Sequence, residues 1–416
     1  MVTRLWEEGV LLTEETSHRL DRLALHPRWG LILFVGVVYL FLQAVFAIGG
    51  PLAILLEHLF AHLASLVSAV WPWGTSSLSH AAVTSAIAGV GGVLAYTPNL
   101  FVLFLGMAFL EQSGYLSRGS LLLDRFMGRV GLSGACFIPL ALGFGCSVPA
   151  VMAARLIKDR RERITTVLVL PFLSCSGRLP VYLLIVSAFF PFRWQATAMF
   201  AVYLLGILTA ALMARILRRT VLVGEGCRCP SDMPPYQIPS FRDLLRSTWE
   251  RGRHFLQKAG TTILIASIVL GLLSAWPHTE GTLDEQARHA LLGRMGSALE
   301  PIFLPMGGDW RVADAALASL ASKEMFVSQS AILFRHEGTG VIGSGLSQKL
   351  RETYPPAAAL AFLVFILFSA PCIATFATVR AETGSWKWAT AQYLGMTLLA
   401  YGAAVVVYQV ARLVAG

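Results

Sequence analysis

The sequence predicts an all-α, polytopic membrane protein with two inverted repeats, each holding a re-entrant broken hairpin and a span interrupted by Pro and Cys. Three observations lead there. Hydrophobic residues make up 56% of the 416 positions and charged residues only 14%, where a soluble domain carries about 25%. Windows free of Asp, Glu, Lys and Arg cover 29–56, 58–110, 130–154, 194–214, 259–279, 353–379 and 388–411, and 164–192 holds only Arg178. Several of these windows are broken internally by Gly, Pro and Cys. A spanning helix needs about 20 mostly apolar residues, so most windows are long enough. The composition excludes a soluble globular, disordered or collagen-like chain. The short alternating stretches of a strand barrel are absent. The surplus of 33 Lys and Arg over 24 Asp and Glu, +9, is too thinly spread for a nucleic-acid face and belongs in cytoplasmic loops.

Residues 1–28 mix Arg4, Glu7, Glu8, Glu14, Glu15, Arg19, Asp21, Arg22 and Arg28 without a long apolar core. They read as a cytoplasmic amphipathic lead-in, not a signal peptide. The first repeat runs over 29–217. Within it, 51–71 either crosses or lies flat, which puts the number of spans between seven and ten. A basic cytoplasmic loop occupies 218–255, and the second repeat 256–416. Arg118, Arg125, Arg129, Lys158, Arg160, Arg161 and Arg163 mark further inside loops. Segment 278–311, with five carboxylates against three Arg, is placed outside.

The stretch 130–154 has Arg on both flanks, so it enters and turns back. Its centre offers Gly143 and Gly145 for unusual dihedrals and Pro149 to interrupt the ladder. A single kinked span is the alternative. A second broken element lies at 312–334, with Lys323-Glu324 in its middle, and enters from the other side. The mildly basic loop 335–352 weighs against that placement. Interrupted spans follow each hairpin, at Leu170-Pro171-Phe172-Leu173-Ser174-Cys175-Ser176-Gly177-Arg178-Leu179-Pro180 and Phe368-Ser369-Ala370-Pro371-Cys372-Ile373. Opposed breaks of this kind are the pattern of an inverted repeat.

Backbone groups at such breaks must face protein or a watery cavity, and in transporters they form the substrate site. Cys146, Cys175 and Cys372 lie at three breaks and Glu324 at the fourth. Thiolates suit soft metals, and a carboxylate within an apolar segment marks a pathway or a paired site. Glu111 is a second such carboxylate, or an interfacial one. Lys323 is placed to neutralise Glu324. Arg178 has a structural or gating role, as do Pro180 and Pro371. Cys136 reads as an inert core cysteine. Cys227 and Cys229 are too few for a closed zinc site, and their role is open. No phosphate loop of the form G-x-x-x-x-G-K-[ST], no His-Glu-x-x-His and no complete catalytic constellation occurs, so the chain is not read as an enzyme.

These motifs resemble the membrane part of the ferrous iron transport protein B (FeoB) family. The likeness runs in order through Leu25-His26-Pro27-Arg28-Trp29-Gly30, Leu110-Glu111-Gln112-Ser113-Gly114-Tyr115, Gly143-Phe144-Gly145-Cys146-Ser147-Val148-Pro149-Ala150 and Pro171-Phe172-Leu173-Ser174-Cys175-Ser176-Gly177-Arg178-Leu179-Pro180. It continues through Lys258-Ala259-Gly260-Thr261, Ser322-Lys323-Glu324 and Pro371-Cys372-Ile373-Ala374-Thr375, and covers about residues 20–412. The resemblance implies two opposed gate-type repeats in a multi-pass cell (inner) membrane protein with a cytoplasmic N-terminus. It implies Fe(II) as transported substrate, with no permanently bound cofactor, along a pathway of Cys146, Cys175, Cys372, Glu324, Glu111 and Ser147. As partners it implies a separate GTP-binding subunit and a small Feo-type accessory protein, and it allows a homo-oligomer. The family usually carries an N-terminal GTP-binding domain, so the sequence reads either as a stand-alone membrane subunit or as a fragment. Ser147 stands where Asn is common, Gln112 where Asp is, and Ser322 where Ala is. These departures keep open Mn(II), Zn(II) or a nucleoside-like solute as substrate. A membrane scaffold for a soluble GTPase is the alternative of another class.

Overall fold

A computed structural model describes residues 29–70, 101–102, 104–223, 236–255, 261–277, 283–334 and 344–415, with isolated positions between 10 and 98 and at 257. Apart from one short antiparallel pair, Val10–Leu11 on Gln237–Ile238, the described elements are helices. Among the described residues, four stretches are long and apolar enough to cross a membrane: Arg160–Phe189, Phe192–Thr220, Pro356–Thr383 and Trp386–Val414. The first and third contain breaks. Their apolar windows are 67% and 72% buried, against 22% and 17% for the two unbroken helices. Broken backbone exposes polar groups that lipid cannot satisfy, so the broken spans form the interior and the unbroken helices the shell.

Hairpin 1 has arms Phe137–Gly143 and Ser147–Ala153. It is followed by broken span 1, Arg160–Val169 and Leu179–Phe189. Hairpin 2 has arms Trp310–Ala318 and Met325–Leu333. It is followed by broken span 2, Pro356–Phe368 and Ile373–Thr383. An unbroken helix closes each repeat, Phe192–Thr220 and Trp386–Ala415.

Hairpin 1 turns back on itself. Arg218 Nε donates to Gly131 O before the hairpin at 2.8 Å. The same guanidinium stands 3.9 Å from both Asp159 Oδ2 and Glu162 Oε1 after it. Ser133 Oγ donates to Glu162 Oε2 at 2.6 Å and completes the junction. Hairpin 2 is closed in the same way: the Arg311 guanidinium lies 5.5 Å over the Phe334 ring. Beside it the Tyr354 hydroxyl donates to Asp309 Oδ1 at 2.5 Å. Burial, and then the Asp309 carboxylate, push the Tyr354 hydroxyl above its ordinary range. The two bases lie at opposite ends of broken span 2. Tyr354 precedes its start, whereas Arg155, just beyond hairpin 1, binds Glu382 near its finish through contacts of 2.6 and 2.5 Å. The repeats are therefore inverted.

The lead-in and the 218–255 segment fold together. Besides the strand pair, Arg118 Nε donates to Asp21 Oδ1 at 2.9 Å, and its guanidinium lies 3.9 Å over the Tyr236 ring. The reading of 218–255 as a loop is corrected in part. Phe241–Phe255 is a 15-residue helix, capped where Asp243 N donates to Ser240 Oγ at 3.1 Å. Residues 51–70, left open by the sequence, continue the helix of the first window. Trp29–Val70 is one helix of 42 residues with Pro51 inside it. Cys227 and Cys229 lie outside the described residues, as do residues 335–343.

Candidate functional site

Each pathway residue at a break stands immediately before a helix. Cys146 precedes Ser147–Ala153, Cys175 precedes the turn Ser176–Arg178 that leads into Leu179–Phe189, and Cys372 precedes Ile373–Thr383, all three in extended conformation. Glu324 precedes Met325–Leu333, and its carbonyl accepts from Val327 N at 3.1 Å. Helix starts leave N–H groups free and carry partial positive charge. The inverted repeat makes Cys146 and Glu324 counterparts on the hairpins, and Cys175 and Cys372 counterparts on the spans.

Matching hydrogen bonds seat each hairpin tip on its own span. The amide after Cys175, Ser176 N, donates to Gly145 O at 3.0 Å, and Ser176 Oγ adds a bond of 2.8 Å. The amide after Cys372, Ile373 N, donates to Leu320 O at 3.1 Å. Contacts between the repeats then draw the breaks together. Arg178, buried, donates from Nη1 to Pro171 O and from Nη2 to Ser369 O, both at 2.8 Å. Within the second repeat, Lys323 Nζ donates to Ser369 Oγ at 3.1 Å and ties hairpin 2 to broken span 2. A Cβ placed on Gly177 would stand 3.0 Å from Glu324 Oε2 and 4.0 Å from Cys175 Sγ, so the glycine leaves room for the carboxylate. Cys146 lies close enough to Cys175, Cys372 and Glu324 to interact with each electrostatically. All four side chains are half-buried. Cys372 Sγ also lies 3.2 Å from Thr375 Oγ1. Among the described residues, no group of three or more His, Cys, Asp or Glu is close enough to hold a metal ion. The arrangement is a loose ring of soft and acidic groups.

Several sequence expectations change here. Lys323 interacts electrostatically with Glu324 and in addition donates to Ser369. Gly143 and Gly145 do not supply unusual dihedrals, because positive φ occurs only at Gly114, Gly131, Gly307 and Gly384 among the described residues. Gly143 serves close packing instead: an added Cβ would stand 2.7 Å from Leu170 Cδ2. Pro149 and Pro180 do not interrupt a ladder. They sit in the first turns of their helices, where a missing N–H costs nothing. Pro371 lies in the break of span 2. Ser147 is buried as the first residue of its arm. Glu111 is not brought to the ring; its Oε2 accepts from Arg251 Nη2 at 2.6 Å, with both side chains about one-third exposed. Cys136 is fully buried but not in purely apolar surroundings, since its thiol lies 3.7 Å from Glu162 Oε2. Sequence reasoning missed Ser369 and Gly206. A Cβ on Gly206 would stand 2.8 Å from Phe172 O, so this glycine lets the shell helix approach break 1. Its position in an otherwise regular apolar helix was the available signal.

Comparison with known proteins agrees with this division. The Gate family, described as nucleoside recognition, matches residues 93–189 and 256–386, and the ferrous iron transport protein B C terminus family matches 199–251. The Fe(2+) transporter FeoB of Staphylococcus aureus strain MSSA476 is 36% identical over 403 residues, covering 95% of this chain and 59% of that protein. That of Methanocaldococcus jannaschii is 35% identical over 410 residues, covering 96% and 59%. A Porphyromonas gingivalis Fe(2+) transport protein A/Fe(2+) transporter FeoB fusion protein is 33% identical over 436 residues, covering 95% and 51%. The chain thus spans between half and three-fifths of the length of these relatives. No solved structure matches it.

Proposed function

The chain belongs to the Gate family and, with its relatives, to the Fe(2+) transporter FeoB family, and from that premise we propose that it moves Fe(II) across the cell membrane into the cytoplasm. The observation that supports this reading best is the meeting of four helix breaks from two inverted repeats, each presenting Cys146, Cys175, Cys372 or Glu324 at a helix start. Thiolates and one carboxylate replace part of the ion's hydration shell. Their loose spacing favours release over capture, and conduction needs both entry and exit. Arg178 and Lys323 hold the breaks together through Pro171 and Ser369. The basic segments around 118–129, 158–163 and 218–255 lie on the cytoplasmic side with the N-terminus. The chain does no covalent chemistry and holds no permanent cofactor. The name of the P. gingivalis relative, which joins a transport protein A to the transporter, supports a small accessory partner.

Proteoliposomes of the purified chain are expected to take up Fe(II). Cys146→Ser and Cys175→Ser should each slow uptake by about tenfold or more, because even outer-shell changes at metal sites cost about 10–100-fold. Unchanged uptake in both variants would remove the ligand assignment. The Gate description as nucleoside recognition favours a nucleoside-like solute as the second reading. Mn(II), Zn(II) or a nucleoside outcompeting Fe(II) would replace the substrate. Partner binding without any uptake would favour a scaffold.

A further inference from the structure

The helix Phe241–Phe255 divides into three faces. Leu244, Thr248 and Gly252 turn toward the protein, and a Cβ on Gly252 would stand 2.6 Å from Phe101 Cζ. Phe241, Leu245 and Trp249, spaced four apart, form a stripe that is 44%, 44% and 61% exposed. At about 100° per residue, Arg242, Arg253 and Arg246 form the next row, directly beside Trp249. All three are exposed. Arg246 shares its charge with Glu250 at 3.1 Å, and Asp243 is engaged with Ser240. The helix also has a defined depth. Trp249 lies 6.0 Å from Phe101 between ring centroids, inside the charge-free window 58–110. Arg251 pairs with Glu111, the first charge after that window, and the apolar helix Thr261–Ala275 begins a few residues later.

We propose that Phe241–Phe255 lies flat in the membrane surface, with Leu245 and Trp249 among the upper acyl chains and Arg242, Arg246 and Arg253 binding anionic lipid headgroups. An apolar stripe flanked by Arg at the boundary of a membrane-embedded segment is complementary to that surface, whereas a soluble acidic partner would leave the stripe in water.

The test uses the full chain in lipid nanodiscs. Trp249 fluorescence is isolated as the difference between wild type and Trp249→Phe. It should be quenched by phospholipids brominated high on the acyl chain and shielded from aqueous acrylamide. Replacing all three Arg (Arg242→Gln, Arg246→Gln and Arg253→Gln) should lower the preference for phosphatidylglycerol over phosphatidylcholine, read by mass spectrometry of co-purified lipid. Each Arg near an anionic surface contributes about fivefold, so the loss should be on the order of a hundredfold. Trp249 emission open to acrylamide and indifferent to brominated lipid would overturn the proposal, since the stripe would then face solvent or a soluble partner. An unchanged lipid preference in the triple variant would overturn the headgroup assignment.

Discussion

Removing the charge of Glu162 should loosen the base of hairpin 1 by an amount that the geometry bounds. Glu162 is wholly buried and Arg218 nearly so. Their closest atoms are 3.9 Å apart, and unit charges at that distance attract by about 4 kcal/mol at an effective dielectric near 20. Stripping one partner from a buried pair costs about 3–5 kcal/mol. Glu162→Gln should cost less, about 2 kcal/mol. Arg218 keeps Asp159 at 3.9 Å and its bonds to Gly131 O and Leu222 O, and a Gln oxygen still accepts from Ser133. Arg218→Met takes the donor from Gly131 O and Leu222 O and the countercharge from Glu162, so it belongs in the full range of about 3–5 kcal/mol. Once Glu162 is neutral, the Arg218 change should hurt less. The double variant should therefore be at least about 1.5 kcal/mol more stable than the sum of the singles predicts, more than tenfold in the unfolding constant. The assay is reversible unfolding in mixed detergent–dodecyl sulfate micelles, followed by far-ultraviolet circular dichroism. Single costs that add to within about 0.5 kcal/mol would show that the two charges act independently, and that the pair does not close the hairpin.

Two further outcomes follow from the site. Arg178→Met removes the donors to Pro171 O and Ser369 O; buried acceptors left open cost about 1–3 kcal/mol each. That variant should unfold at markedly lower dodecyl sulfate, with Arg178→Lys in between, and equal midpoints for all three would exclude the bridging role. Gly206→Ala should destabilise by about 1–2 kcal/mol through overpacking against Phe172 O, and should slow Fe(II) uptake by shifting the break that carries Cys175. Gly402→Ala, which meets nothing within 4 Å, should be neutral in both measurements, and the same behaviour at the two positions would refute the packing argument.

Composition and charge by themselves determined the membrane class and the two broken hairpins, whereas the basic loop 335–352 left their opposed insertion to the tertiary contacts at Tyr354 and Glu382. Hydropathy is a sum over neighbouring residues, and flanking charges such as Arg129 and Arg155 act on orientation without needing a partner. The four pathway candidates at the breaks were legible for the same reason, since Gly, Pro, Cys and Glu stand out against apolar sequence. Partners were not legible. Lys323 and Glu324 are adjacent in the chain and interact electrostatically, but the bond from Lys323 to Ser369, 46 residues away, was not legible. Arg178 was visible as a misplaced charge, but its second acceptor lies 191 residues on. Glycines at 143 and 206 looked conformational or incidental, and their use is the near contact of another segment. Glu111 reads from the sequence as either a pathway or an interfacial carboxylate, and its partner Arg251 comes from the helix at 241–255. In each case only the tertiary structure decided, because the direction of a side chain at a helix break follows from how distant segments pack, and no local sum of residues contains that direction.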